Sequence, residues 1–254
     1  MEADRTGTAQ QGLDTSGRAY VVTGAGSGIN LAIARALLEA GCRVAAWDVT
    51  PGKLADDAHP RLTFTTIDVR DKAGLTREAA AVARNAGGIA GLVAGAGVMQ
   101  HAPFLEIKEE DFDRTMAINL KGAMLTVQAV LPHLRSAGKG SIVMFASMLA
   151  RSGGANAADY IASKGGILGL SRTLAMEIAD AGIRVNTISP TVIDTPMPQA
   201  VYSRQTLEAR GRDSPMGRLA TVDDVAAAAL FLLSDDASFM TGQDIRINGA
   251  QRLF

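Results

Sequence analysis

The stretch that decides the fold runs Gly140-Ser-Ile-Val-Met-Phe-Ala-Ser147-Met-Leu-Ala-Arg-Ser-Gly-Gly-Ala-Asn-Ala-Ala-Asp-Tyr160-Ile-Ala-Ser-Lys164. Its opening run, residues 140–146, is short and apolar and reads as a buried strand. From Asp159 to Ile178 the chain is rich in Ala and Leu and reads as a helix. Tyr160 and Lys164 are one turn apart on one face of that helix. Ser147 closes the strand, 13 residues before the tyrosine. A hydroxyl, a phenol and an ammonium thus converge at the C-terminal edge of a sheet, where open α/β folds place their ligands. A Tyr-x-x-x-Lys pair alone is common on helix surfaces, so its meaning depends on what surrounds it.

Outward from this stretch the same unit repeats. Strands are expected at residues 18–23, 43–47, 62–67, 91–97, 183–188 and 244–248. Helices are expected at 31–40, about 75–85, 108–137 and 221–233, with Thr221 as an N-cap and Gly41 as a stop. Residues 190–215 form a proline-punctuated segment with a short helix. Alternating strands and helices predict an α/β fold, one doubly wound Rossmann-type domain with a parallel sheet of about seven strands. The polar residues 1–16 read as a flexible extension without the basic start and apolar core of a signal peptide, leaving 17–254 as the catalytic domain.

Composition narrows the function. The chain has 254 residues, a net charge of -1 and 47% hydrophobic residues, and its pI is about 6.3. No basic face invites nucleic acid and no apolar run spans a bilayer. Cys42 is the single cysteine, so an intramolecular disulfide is impossible; it reads as a buried side chain, and the location as cytoplasmic. His59, His101 and His133 are scattered without ligand spacing, so no metal is expected. No G-x-S-x-G elbow occurs. Met148, Met176 and Met240 read as core filler.

The turn Gly24-Ala-Gly-Ser27-Gly28-Ile29-Asn30 joins the first strand to the first helix. Glycines there let the backbone approach a pyrophosphate, and the helix N-terminus supplies N–H groups and partial positive charge. The G-x-G-x-x-G spacing is not met, because Ile29 takes its last position. Asp48 ends the second strand 20 residues after Gly28, where a carboxylate accepts the adenosine ribose hydroxyls. The same carboxylate repels a 2′-phosphate, and Ser27 stands where a basic residue would welcome one. The expected cofactor is NAD.

With these residues in hand, residues 17–249 resemble the short-chain dehydrogenase/reductase family. The T-G-x-x-x-G-x-G motif falls on Thr23 to Asn30, and N-N-A-G falls on Ala94-Gly95-Ala96-Gly97. The family's catalytic set falls on Asn119, Ser147, Tyr160 and Lys164. The resemblance implies that Asp68 and Val69 contact adenine and that the segment from Pro190 through Val192 and Ile193 to Thr195 contacts the nicotinamide carboxamide. It departs at Asn30, at Ala94-Gly95 and at Thr191, the second of which removes an amide that braces the sheet. It implies that Tyr160 exchanges the hydroxyl proton, Lys164 lowers its pKa and holds the nicotinamide ribose, Ser147 holds the substrate oxygen, and the Asn119 region links Lys164 to solvent through water. It also implies a substrate pocket from Ser147, Met148, Leu149, Asn156, Tyr160, Ile193, Met197 and Tyr202, with Gln100 and His101 nearby.

That pocket is mostly apolar and suits a small secondary alcohol or its ketone. NAD is held mainly oxidised in cells, so a sugar/polyol or cyclic alcohol dehydrogenase comes first. A 3-oxoacyl-type or cyclic-ketone reductase comes second, and a non-catalytic NADH-binding regulator is the reading from another class. Arg204, Arg210 and Arg212 read as a solvated basic face. The long apolar helices around Asn119 and Tyr160 resemble those that pair subunits in this family, which implies a homotetramer.

Overall fold

The computed structural model describes residues 12–54 and 57–251. Seven parallel strands run β1 (Ala19–Thr23), β2 (Arg43–Asp48), β3 (Leu62–Thr66), β4 (Ile89–Ala94), β5 (Gly140–Phe145), β6 (Ile183–Pro190) and β7 (Asp244–Ile247). Their spatial order is β3-β2-β1-β4-β5-β6-β7. The order reverses between β1 and β4, which puts a ligand crevice at the C-terminal ends of those strands.

Alternation along each strand divides the core. Tyr20, Val22, Val44, Ala46, Val143 and Phe145 face one side, where α1 (Gly28–Glu39) and α9 (Val222–Leu233) cover them. Val21, Ala45, Trp47, Leu92, Ile142 and Met144 face the other, under α2 (Lys72–Asn85), α4 (Ala123–Ala137) and α6 (Ala158–Ile178). Strands buried on both faces need continuous apolar runs, which is why β1, β4 and β5 are buried at every position.

The 108–137 segment is not one α-helix. It divides into α3 (Glu109–Met116), a π-helical turn (Ala117–Gly122) and α4. β4 starts at Ile89 and ends at Ala94, so Gly95 to Gly97 lie beyond the sheet rather than in it. Short helices α5 (Leu149–Ser152), α7 (Pro196–Gln199) and α8 (Arg204–Arg212) fill the loops after β5 and β6. Thr221 caps α9 in a reciprocal capping box with Asp224.

Of the expected N-terminal extension, residues 1–11 lie outside the described residues. Residues 12–14 are tied to the domain: Leu13 joins the core, the Gly12 carbonyl accepts the Asp235 N–H, and the Asp14 N–H donates to the Tyr20 hydroxyl. Cys42 is buried as expected, which pushes its thiol up to about 11. Met176 departs from the expectation: it is 86% exposed on α6, while Met148 is buried. The residue types alone did not reveal which face of α6 points outward, because polar Asp159, Ser163, Lys164 and Ser171 are buried along with its apolar residues. Among the described residues no helix is long and apolar enough to cross a membrane.

Candidate active site

A cavity of about 540 Å³ opens at the ends of β1, β4, β5 and β6. Its wall at one end is the turn after β1. Gly24 has φ +69°, and a Cβ there would lie 2.8 Å from the Ala96 Cα, so only glycine lets this turn pass the one after β4. The Gly26 N–H donates to Asp48 Oδ2 at 2.8 Å, and Asp48 Oδ1 accepts the Thr50 N–H at 3.2 Å. The carboxylate is thereby fixed at the cavity wall with lone pairs to spare for hydroxyl donors. Ser27 is the N-cap of α1 but makes no side-chain cap bond, so the first-turn N–H groups remain open to an anion. Ser27, Gly28, Ile29, Asn30, Asp68, Val69, Gly95 and Ala96 share this wall, and Pro190, Val192, Ile193 and Thr195 continue it. Ala94 does not reach the cavity; it is buried as the last residue of β4. Asp68 accepts from the Arg70 guanidinium through both carboxylate oxygens, which keeps its carboxyl below the usual range. A glycine cradle, an uncapped helix start and an oriented carboxylate fit a dinucleotide.

The two departures in the glycine motifs meet in space. Asn30 Nδ2 donates to the Gly95 carbonyl at 2.9 Å. A Cβ at Gly95 would collide with the Asn30 carboxamide. The amide expected to be lost with the second motif is therefore supplied from the opposite element, and the missing side chain at 95 is what makes room for it. Thr23 Oγ1 completes the joint by accepting the Gly95 and Ala96 N–H groups at 3.0 and 3.2 Å. Asn30 Oδ1 is buried without a hydrogen-bond partner among the described residues, an open acceptor beside the cavity.

The structure brings Ser147, Tyr160 and Lys164 together on the cavity wall. Ser147 Oγ accepts the Leu149 N–H at 3.2 Å, which leaves its own proton free to donate. Burial pushes the Tyr160 phenol above its ordinary value, the Ser147 hydroxyl opposes that, and the neighbouring Tyr202 adds to it. Lys164 is buried, donates to the Phe145 carbonyl at 2.8 Å, and lies 5.7 Å from the Tyr160 ring centre. Desolvation lowers its ammonium to about 8.

Asn119 is one step back from the wall. It sits in the π-helical turn, accepts the Val98 N–H at 2.8 Å, and donates to the Val98 carbonyl and to Ser163 Oγ. It thus ties the loop after β4 to the residue preceding Lys164. Leu149, Met197 and Tyr202 line the cavity, whereas Gln100, His101 and Asn156 do not. Asn156 is exposed, has φ +62°, and its carbonyl accepts the Ala102 N–H, so it shapes a turn. Sequence reasoning missed Asn248 and Gln251, which reach the wall from beyond β7, and left Arg210 in a solvated face although it also lines the cavity. Thr191, the third departure from the family's motifs, turns its hydroxyl to the Gln251 carboxamide.

A family model described as "Enoyl-(Acyl carrier protein) reductase" matches residues 24–249. The chain is 41% identical to D-threitol dehydrogenase of Mycolicibacterium smegmatis, over 92% of each. It is 38% identical to cis-4-hydroxycyclohexanecarboxylate dehydrogenase of Sinomonas cyclohexanicum, over 91% of this chain and 95% of that one. The crystal structure of levodione reductase superposes with a TM-score of 0.86 at 32% identity, covering 92% of this chain and 97% of the other. The chain belongs to the short-chain dehydrogenase/reductase family. As a member it is an oxidoreductase acting on CH–OH groups, and its cofactor is a nicotinamide dinucleotide.

In this member of the family Gly95→Ala is expected to expel the Asn30 amide and cost about 1–3 kcal/mol. The melting temperature should fall and NADH should bind more weakly, and Asn30→Gly added to Gly95→Ala should recover at least half of both losses. Additive losses in thermal melts and fluorescence titrations of the two single variants and the double variant would refute the coupling.

Proposed function

We propose that this protein is an NAD-dependent dehydrogenase that oxidises a sugar, polyol or small cyclic secondary alcohol to its ketone. The observation that carries the reading is one continuous cavity with Asp48 at one end and Ser147, Tyr160 and Lys164 at the other. Two relatives named for threitol and for a hydroxycyclohexane acid support the substrate range. Asp48, held by the Gly26 and Thr50 N–H groups, supports NAD over NADP, because a fixed carboxylate repels a 2′-phosphate.

Bound NAD would supply the hydride acceptor. The glycine turn and the open N–H groups of α1 would hold its pyrophosphate, and Asp48 its adenosine ribose. Ser147 donates to the substrate oxygen and stabilises charge developing there. Tyr160 takes the hydroxyl proton; free tyrosine, at about 10, is too weak a base at neutral pH. The buried Lys164 ammonium beside it favours the phenolate. Asn119 keeps the loop and α6 in register so that the pair stays aligned. The three-residue gap between Tyr160 and Lys164 is shorter than in the related enoyl reductases, which favours alcohol chemistry over enoyl reduction.

The protein is further read as a cytoplasmic homotetramer. Exposed Phe112 on α3 and Met176 on α6 support self-association through those helices; light scattering at micromolar concentration should give four times the chain mass, and a monomeric mass would contradict it. Tyr160→Phe should lower turnover by about 10²–10⁴-fold with NADH affinity held within about twofold. In the wild type, kcat/KM for oxidation should rise with pH as the Tyr160–Lys164 pair gives up its first proton, since the proton acceptor is the phenolate beside the Lys164 ammonium. Near-normal turnover in the phenylalanine variant would overturn the assignment.

A further inference from the structure

We infer that Arg210 forms an anion-binding subsite at the substrate end of the cavity, so that the alcohol oxidised carries a carboxylate or similar anionic group. The inference rests on the reading of this cavity as an alcohol dehydrogenase site and names its substrate class.

α8 follows the segment that leaves β6, and it brings Arg210 and the adjoining Asp213 onto the same wall as Tyr160. The guanidinium carbon lies 4.6 Å from the centre of the Tyr202 ring. Tyr202 is itself braced edge-on by His101, with ring centres 5.6 Å apart at 67°. A cation held over an aromatic ring keeps its N–H donors out of that contact. They remain available for paired hydrogen bonds to a planar anion.

Two neighbouring arginines are otherwise engaged, and Arg212, which forms no ion pair among the described residues, does not line the cavity. Arg204 pairs with Glu208 and Arg218 with Asp224. Lys164 is buried against the Phe145 carbonyl. Arg210 forms no ion pair with any carboxylate among the described residues, Asp213 included. Asp48 and Asp68 line the cavity with the glycine turn at its other end. At the substrate end Met148, Met197, Pro196 and Leu149 make the wall largely apolar, and Arg210 reaches it from an exposed position. Arg210, Tyr202 and Tyr160 line the same cavity, so a compact ring or chain that carries its acid apart from its hydroxyl can meet both groups.

The test uses the full-length protein saturated with NADH. Calorimetry compares cyclohexanecarboxylate with its neutral amide on wild type, Arg210→Gln and Arg210→Lys. Steady-state reduction compares 4-oxocyclohexanecarboxylate with its methyl ester. The carboxylate should bind wild type at least about tenfold tighter than the amide, Arg210→Gln should erase that preference, and Arg210→Lys should restore part of it. KM for the keto acid should rise about tenfold in Arg210→Gln with a smaller change in kcat, while KM for the ester moves less than about twofold. Equal binding of acid and amide to wild type, a preference that survives Arg210→Gln, or a loss confined to NADH affinity would each overturn the subsite. Arg210-dependent acid binding without turnover of acid or ester would leave the subsite standing and remove the dehydrogenase reading; turnover of the ester without preference for the acid would do the reverse.

Discussion

Everything at this site depends on how closely two backbone turns pass where the strand order reverses. β1 and β4 lie side by side, yet the chain leaves β1 through the glycine turn into α1 and leaves β4 through residues 95–97. The turns meet at Gly24 and Ala96, where a Cβ on the glycine would lie 2.8 Å from the neighbouring Cα. The crevice they frame is the floor of the cavity. Holding it requires hydrogen bonds across the joint, since unpaired backbone groups there would be costly. Thr23 supplies two from its hydroxyl, and Asn30 supplies one from its amide.

The joint fixes where a cofactor would lie, and the strands beyond it fix where its reactive end would meet a substrate. β5 ends at Phe145, whose carbonyl takes the Lys164 ammonium, so the lysine is anchored to the sheet rather than to solvent. The same strand delivers Ser147 two residues later, and α6 delivers Tyr160 one turn before the lysine. The cost is a buried cation whose pKa is pulled down to about 8. Buried charge of this kind is destabilising by itself, and it marks the site as one kept for chemistry.

The fold was legible in the sequence because two periodicities alternate along the chain and the central strands β1, β4 and β5 are buried at every position. The reacting groups were legible because Tyr160, Lys164 and Ser147 are close in sequence, at the end of one strand and the start of the helix that follows it. What could not be read depends on distance in the chain. Asn30 and Gly95 are 65 residues apart, and their complementarity exists only once β1 and β4 are neighbours. Asn156 was assigned to the pocket by its position before Tyr160, but its left-handed backbone turns it to the surface. The π-helical turn at 117–122 lies inside a run that continues as helix on both sides, so nothing in the sequence pattern set it apart. Arg210 lies in a segment whose path depends on how the chain after β6 folds back, so its arrival at the cavity was invisible beforehand.

The most direct test of the account is transfer of a labelled hydride. The protein is incubated with NAD and a panel of secondary alcohols deuterated at the carbinol carbon, spanning sugars, polyols and cyclic alcohols, and the cofactor is recovered for mass spectrometry. The account predicts reduced cofactor carrying the carbinol deuterium for at least one alcohol, with no label exchanged from water. Tight NADH binding with no label transferred from any member of the panel would contradict it and would favour a protein that binds the dinucleotide without turning it over.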